Sequence, residues 1–258
     1  MNTLIEAIVS GLLQGLLEWL PVSSEGNVVL FLITFFGFSK AEILSTAIFL
    51  HLGTGLAALL YFRRDIAEIL LAETKEYYEI RSKLFIITIL TGIVGFPIYI
   101  WLNISIIYGE ALLAITGLAL IISGLLQRYA AKQRQIGSEL TWSLSLILGS
   151  AQGLSVIPGV SRSGLTTSIL LLSDFTGEEA FRTSFLMSIP ASFSAAFGLM
   201  IIEGFRLDVF SAFSAVIAAV IGYITIDALI RLAREVSFWK MCIGIGTLTV
   251  LAWVFNLV

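Results

Sequence analysis

Glu18, Ser23, Ser24, Glu25 and Asn27 crowd the stretch EWLPVSSEGNVVL, while Ser161, Arg162, Ser163, Gly164 and Thr166 crowd VIPGVSRSGLTTSILLL. Carboxylates beside hydroxyls suit general acid–base or metal-assisted chemistry, and a guanidinium between two serines suits an anion. Arginine presents a planar fork matched to phosphate oxygens, and glycine lets a ligand approach the backbone closely. Both stretches are otherwise apolar. An arginine in the middle of a membrane segment costs about 2.5–3.5 kcal/mol on insertion scales and persists where it is used. Two uses of Arg162 stand side by side, a phosphate clamp and an ion pair with Glu18, and they can coexist.

The two stretches differ in polarity. Gln14 and Glu18, four residues apart, face one way on a helix. Carboxylates repel a bare phosphate, so beside an anion site they imply a proton to move or a divalent cation to hold. Mg²⁺ commonly takes one or two carboxylates together with substrate phosphates, which makes Glu18 and Glu25 the metal candidates, with Mg²⁺ or Ca²⁺ as the ion. Glu25 has two further readings, an acid/base and a solvated interfacial residue. Ser24 reads equally as a nucleophile and as a phosphate donor. His51, the only histidine, falls mid-way along an apolar run. It reads first as a hydrogen-bonded interior residue and second as an acid/base.

The elements that hold these residues follow from composition. The 258 residues are 58% hydrophobic and 13% charged, with mean hydropathy +0.98. Soluble domains are nearer a quarter charged, so an integral membrane protein is indicated. Apolar runs reach the roughly 20 residues that a bilayer core asks of a helix, and period-two alternation is absent. The single cysteine, Cys242, excludes a disulfide frame. The N-terminus lacks the basic region and small-residue cleavage site of a secretory signal.

Full spans are predicted at 41–62, 84–103, 108–128, 180–202, 208–230 and 238–257. The regions 3–36 and 140–172 are each long enough for one span but are broken by Pro21 and Gly26, and by Gly153, Pro158, Gly159 and Gly164. Backbone freed at such breaks must face protein or a water-filled cavity. Most Lys and Arg lie in 63–83, 128–139, 173–182 and 231–240, which the positive-inside rule assigns to the cytoplasm. Both termini then lie outside, and 3–36 and 140–172 enter and leave on the same face. The expected fold is an all-α integral membrane domain, 1–258, with six transmembrane helices plus two re-entrant helical hairpins. The segment from Arg63 to Lys83 reads as a solvated cytoplasmic helix or loop. Asp227 reads as a partner for Arg231, and the tryptophans as interfacial or packing residues.

An internal repeat strengthens this. Shifted by 138, Gly11, Gln14, Gly15, Leu16, Val22, Ser23 and Gly26 match Gly149, Gln152, Gly153, Leu154, Val160, Ser161 and Gly164. Shifted by 137, Ser39 and Glu42 match Thr176 and Glu179, each pair spaced as a helix-opening capping box. The repeats are 1–128 and 140–258. Three full spans separate the hairpins, so the second copy is inverted, an architecture also found in transporters.

The pair QGLLEWLPVSSEGN and PGVSRSG resembles the bacitracin-resistance family of undecaprenyl-diphosphate phosphatases. That family carries an (E/Q)GxxEFLPVSSxGH and a PGxSRSG segment on two re-entrant hairpins in an inverted repeat. The resemblance covers the chain in length and order of spans. It implies divalent-cation-dependent hydrolysis of a long-chain polyprenyl diphosphate to the monophosphate, at a site open to the outer face of the cell membrane. Such an activity recycles the lipid carrier of envelope glycan synthesis and confers antibiotic resistance. It implies catalytic weight on Glu18, Ser24 and Arg162, and substrate binding by Gln14, Ser23, Asn27, Ser161, Ser163, Gly164 and Thr166. The family's histidine is Asn27 here, and an amide shuttles no proton, so acid/base work would fall to Glu18, Glu25, His51 or a metal-bound water. That departure suggests a divergent branch, with an archaeal one in view and another polyprenyl lipid as substrate. The expected partners are the diphosphate lipid and the membrane; nothing suggests nucleic acid, and a homodimer is left open. The alternative is a polyprenyl-phosphate transporter or flippase using the same anion site without cleavage.

Overall fold

The computed structural model describes residues 4–20, 22–36, 40–71, 73–104, 111–130, 138–157, 159–202, 208–235 and 238–255. Among them the chain forms eleven helices and no strand: α1 Leu4–Leu17, α2 Ser24–Phe36, α3 Lys40–Tyr61, α4 Arg63–Leu71, α5 Lys75–Ile104, α6 Ala111–Ala130, α7 Trp142–Leu154, α8 Arg162–Leu172, α9 Gly177–Ile202, α10 Val209–Glu235 and α11 Phe238–Val254. Three are long and apolar enough on their own to cross a membrane, over Lys75–Trp101, Gly177–Ile202 and Val209–Ala228. The α3–α4 pair, bent by 73°, passes the same test as a unit. The described parts of α6 and α11 are apolar but shorter.

Both expected breaks are present. After α1, Leu20 N–H bonds the Leu17 carbonyl and Val22 N–H the Leu20 carbonyl, a tight turn that places Ser23 at φ +61° before α2 begins. After α7, Ile157 N–H bonds the Leu154 carbonyl and Val160 N–H the Ile157 carbonyl, with Gly159 at φ +92°. Ser161 then caps α8, its side chain accepting from Gly164 N–H at 3.1 Å. The capping box expected at Thr176 closes as well: Thr176 N–H meets Glu179 Oε2 at 3.0 Å and Glu179 N–H meets Thr176 Oγ1 at 3.3 Å. Its counterpart at Ser39 lies outside the described residues.

The largest boundary difference is at α5, with α10 also running on to Glu235. The segment 63–83 is two helical pieces, because α5 starts at Lys75, well before the expected 84. Residues 75–83 contain neither Gly nor Pro, and Lys83 pairs with Glu79 one turn back at 3.4 Å, so the long helix continues past the apolar stretch.

The glycines matched by the repeat do matching work. Gly11 and Gly15 bring α1 against α10, and Gly149 and Gly153 bring α7 against α5. A Cβ at Gly15 would lie 2.8 Å from Ile221 Cβ, and one at Gly153 would lie 2.7 Å from Val94 Cβ. Small residues permit this contact where no hydrophobic force distinguishes a neighbouring helix from lipid. Gly117 and Gly246 similarly bring α6 onto α11. α3 packs against both α9 and α10. Trp19 is buried in their company against Ala57, Phe185 and Ile226, and its indole N–H donates to the Gly222 carbonyl at 3.0 Å. Asp227 pairs with Arg231 at 3.9 Å, as expected, and also accepts from the Tyr61 hydroxyl.

Candidate active site

The two breaks meet. Ser163 Oγ donates to the Leu20 carbonyl at 3.0 Å, and a Cβ at Gly26 would lie 3.3 Å from Gly159 N. Each break is followed by a helix N-terminus, at Ser24 and at Arg162, so two positive dipole ends face one place. That place is a cavity of about 690 Å³. Glu18, Ser23, Ser24, His51, Ser161, Arg162 and Ser163 all line it.

Glu18 is the centre of the polar cluster and is almost wholly buried. Its Oε1 accepts from Arg162 Nη2. Its Oε2 accepts from Gln14 Nε2 at 2.8 Å and Ser24 Oγ at 2.7 Å, and His51 Nε2 stands 3.4 Å from it. A buried charge is tolerable only when paired and hydrogen-bonded, and here the carboxylate has both. The pairing reading of Arg162 is therefore realised. Arg162 also lines the cavity, and its Nη1 donates to the Ser184 carbonyl at 3.4 Å.

His51 satisfies its own helix, as the interior reading requires, through Nδ1 at 2.9 Å from the Ala47 carbonyl. A carbonyl only accepts, so Nδ1 carries a proton, and Nε2 is the nitrogen offered to Glu18 and the cavity. This places the histidine in the cluster rather than apart from it.

Four residues expected to bind substrate do not line the cavity. Asn27 turns back on its own turn, Nδ2 donating at 2.8 Å to the carbonyls of both Val22 and Ser23. The Ser23 carbonyl also accepts from Asn27 N–H at 3.2 Å, so the amide reinforces the start of α2 and supplies a donor to the Val22 carbonyl. Gly164 is packed: a Cβ there would lie 2.8 Å from Gln127 Nε2. Thr166 Oγ1 is 2.7 Å from Ser184 Oγ and donates to the Arg162 carbonyl, locking α8 onto α9. Gln14 is fully buried and acts on Glu18 alone. The side chain of Glu25 lies outside the described residues.

The sequence reading missed the far walls. Thr88, Thr91, Gln152, Ser155 and Ser192 add polar atoms, and the apolar faces of α5 and α9 extend the cavity outward. Gln152, the repeat partner of Gln14, donates to Thr91 Oγ1 at 3.0 Å. The repeat was the one signal that pointed to it.

Of the two expected metal ligands only Glu18 lies among the described side chains. No three His, Cys, Asp or Glu side chains gather among the described residues. Both Glu18 oxygens already accept from N–H or O–H donors, one of them a guanidinium that would repel a metal at the same carboxylate.

A site of this build invites comparison across the whole chain. A relative from Methanococcoides burtonii named "Undecaprenyl-diphosphatase" is 42% identical, over 97% of this chain and 98% of its own length. One of the same name from Haloarcula marismortui is 42% identical over 97% of both chains, and one from Methanothrix thermoacetophila 38% identical over 95% of both. The family described as "Bacitracin resistance protein BacA" matches residues 7–248, and this chain belongs to that family.

Proposed function

We propose that the protein hydrolyses a long-chain polyprenyl diphosphate of the undecaprenyl type to its monophosphate in the cell membrane. The observation that carries this is the convergence of two half-helix N-termini, Arg162 and four serine hydroxyls on one cavity whose outer part is apolar. Such an arrangement suits a diphosphate head on a hydrocarbon tail. The names of the relatives agree with hydrolysis. Transport without cleavage has no observation of its own in its favour.

The chemistry follows from the cluster. Arg162 and the N-termini of α2 and α8 draw the terminal phosphate and neutralise the charge that develops on its oxygens. Ser24 already donates its hydroxyl hydrogen to Glu18, the geometry of a nucleophile beside its base. Ser24 Oγ attacks the terminal phosphorus, its proton passes to Glu18 Oε2, and the bond from that phosphorus to the bridging oxygen breaks. Polyprenyl monophosphate leaves, and water then releases phosphate from the serine. Gln14 and Arg162 hold Glu18 in place throughout, and His51 Nε2 stands beside the oxygen that takes the proton. A divalent cation, not provided for by the described side chains, would arrive on the diphosphate itself, which offers the oxygens Mg²⁺ prefers.

The broken pairs α1–α2 and α7–α8 are, on this reading, re-entrant hairpins from opposite faces. The remaining long helices α3, α5, α6, α9, α10 and α11 span the bilayer, with both termini outside. Support comes from the meeting of the two tips and from the matched glycine contacts of α1 on α10 and α7 on α5.

The test is phosphate release from a long-chain polyprenyl diphosphate by purified protein in detergent. Ser24→Ala is expected to abolish it, and acid quenching of wild type during turnover to trap a phosphoserine at position 24. Full activity in Ser24→Ala would leave only direct attack by water; no release by wild type would end the enzyme reading.

A further inference from the structure

Most glycines in these helices are pressed against a neighbour, but Gly92 of α5, Gly198 of α9 and Gly244 of α11 are not, and the first two line the cavity. A Cβ at Gly11, Gly15, Gly117, Gly149, Gly153 or Gly246 would come within 3 Å of an adjacent helix. A Cβ at Gly92 or Gly198 would meet nothing within 4 Å, and both residues line the cavity. Glycine inside a helix is destabilising relative to alanine, so close packing accounts for the first group and leaves the second unexplained.

The walls around these two residues are apolar and regular. Ile89, Gly92, Ile93 and Phe96 recur at helical spacing on one face of α5, and Ala195, Gly198 and Ile202 on one face of α9. Ile89, Ile93, Phe96 and Ile202 are exposed, so the outer part of the cavity opens sideways where hydrocarbon would lie. The same cavity is continuous with Glu18, Ser24 and Arg162.

We propose that Gly92 and Gly198 are the specificity-determining residues for the lipid tail, two notches that keep the groove between α5 and α9 wide enough for a methyl-branched prenyl chain. This rests on the diphosphate reading above, and it names the part of the substrate that the polar cluster does not touch. An unbranched chain needs less of that width; a branched one fills it.

A Cβ at either position meets open space and the change removes a helix-weakening glycine, so both variants are expected to fold. Gly92→Leu and Gly198→Leu are each expected to lower the ratio of kcat/KM for a long polyprenyl diphosphate over an unbranched alkyl diphosphate of the same chain length by about tenfold. A fall of that size corresponds to roughly two chain methylenes losing their burial. Gly244→Leu, at a position equally open but outside the cavity, is the control and is expected to leave the ratio unchanged. An unchanged or raised ratio in both cavity variants overturns the proposal, as does an equal fall in Gly244→Leu. If wild type cleaves neither substrate, hydrolysis itself fails, and retention of long-chain polyprenyl monophosphate by the detergent-solubilised protein judges the groove alone. A fall of about tenfold in Gly198→Leu upholds the groove, and equal retention by wild type and variant overturns it.

Discussion

His51 Nε2 lies 3.4 Å from Glu18 Oε2, the oxygen that also accepts from Ser24. An imidazole thus reaches the Glu18 carboxylate from α3, while position 27, where the motif this chain resembles carries a histidine, holds an amide turned away from the cavity. The two residues have different jobs, and their substitutions separate them. His51→Ala is expected to lower kcat by about 10²-fold with little change in KM, within the range that positioned acid–base groups contribute. Asn27→Ala is expected to lower thermal stability by about 1–3 kcal/mol through two lost hydrogen bonds at the tip, read as a fall in Tm. Asn27→His is expected not to rescue His51→Ala, because a side chain at 27 is directed at the Val22 and Ser23 carbonyls. Rescue in that double variant would place position 27 in the cavity after all.

Much of this was legible in the sequence, for reasons that particular residues make plain. Pro, Gly and Ser in the middle of two apolar runs announce breaks, because a lipid-facing backbone cannot tolerate them. Arg162 and Glu18 announce a site, because neither is tolerable in a membrane alone. The direction of Asn27 was not legible. A motif fixes which residue follows the turn, but whether its amide serves the ligand or the turn depends on two carbonyls that only the folded tip exposes. Thr88 and Thr91 were invisible for a different reason. Each hydroxyl bonds the carbonyl four residues back on its own helix, at 2.9 and 2.8 Å, a habit of threonine that carries no spacing signature. The early start of α5 was missed because hydropathy marks where a helix is apolar, not where it ends.

The Arg162–Glu18 pair predicts a separation of stability from activity. Arg162→Ala leaves Glu18 buried without its cation, which is expected to destabilise the protein by about 3–5 kcal/mol as well as to abolish turnover. Adding Glu18→Gln neutralises the orphaned charge, so the double variant is expected to recover most of the lost Tm while remaining inactive. If the double variant melts no higher than Arg162→Ala, the pair is not what holds the two tips together. Arg162→Lys keeps the charge but loses the fork, and is expected to melt near wild type with activity reduced by about 10²–10³-fold.

Gly159 tests the turn itself. At φ +92° a side chain is strained, and a Cβ there would run into the Thr116 backbone of α6. Backbone cannot move aside as a flexible side chain can. Gly→Ala stabilises an ordinary helix, but Gly159→Ala is expected to cost about 1–3 kcal/mol, the range for a strained backbone position, with activity falling alongside Tm because Ser161 and Arg162 follow directly. Normal activity in this variant would show that the tip adjusts freely and that its conformation does not position Arg162.

The donor set around Glu18 predicts how a divalent cation behaves. Arg162, Gln14 and Ser24 already donate to its two oxygens. Protein in detergent without lipid is then expected to show no stoichiometric Mg²⁺ binding by equilibrium dialysis. With a non-hydrolysable polyprenyl diphosphate analogue present, Mg²⁺ is expected to be retained together with the analogue. Arg162→Ala is expected to release both, because the metal is held through the diphosphate and the diphosphate through Arg162. Stoichiometric Mg²⁺ binding to the lipid-free wild type, lost in Glu18→Gln, would reverse the argument: it would require Arg162 to swing off the carboxylate and the metal to take its place.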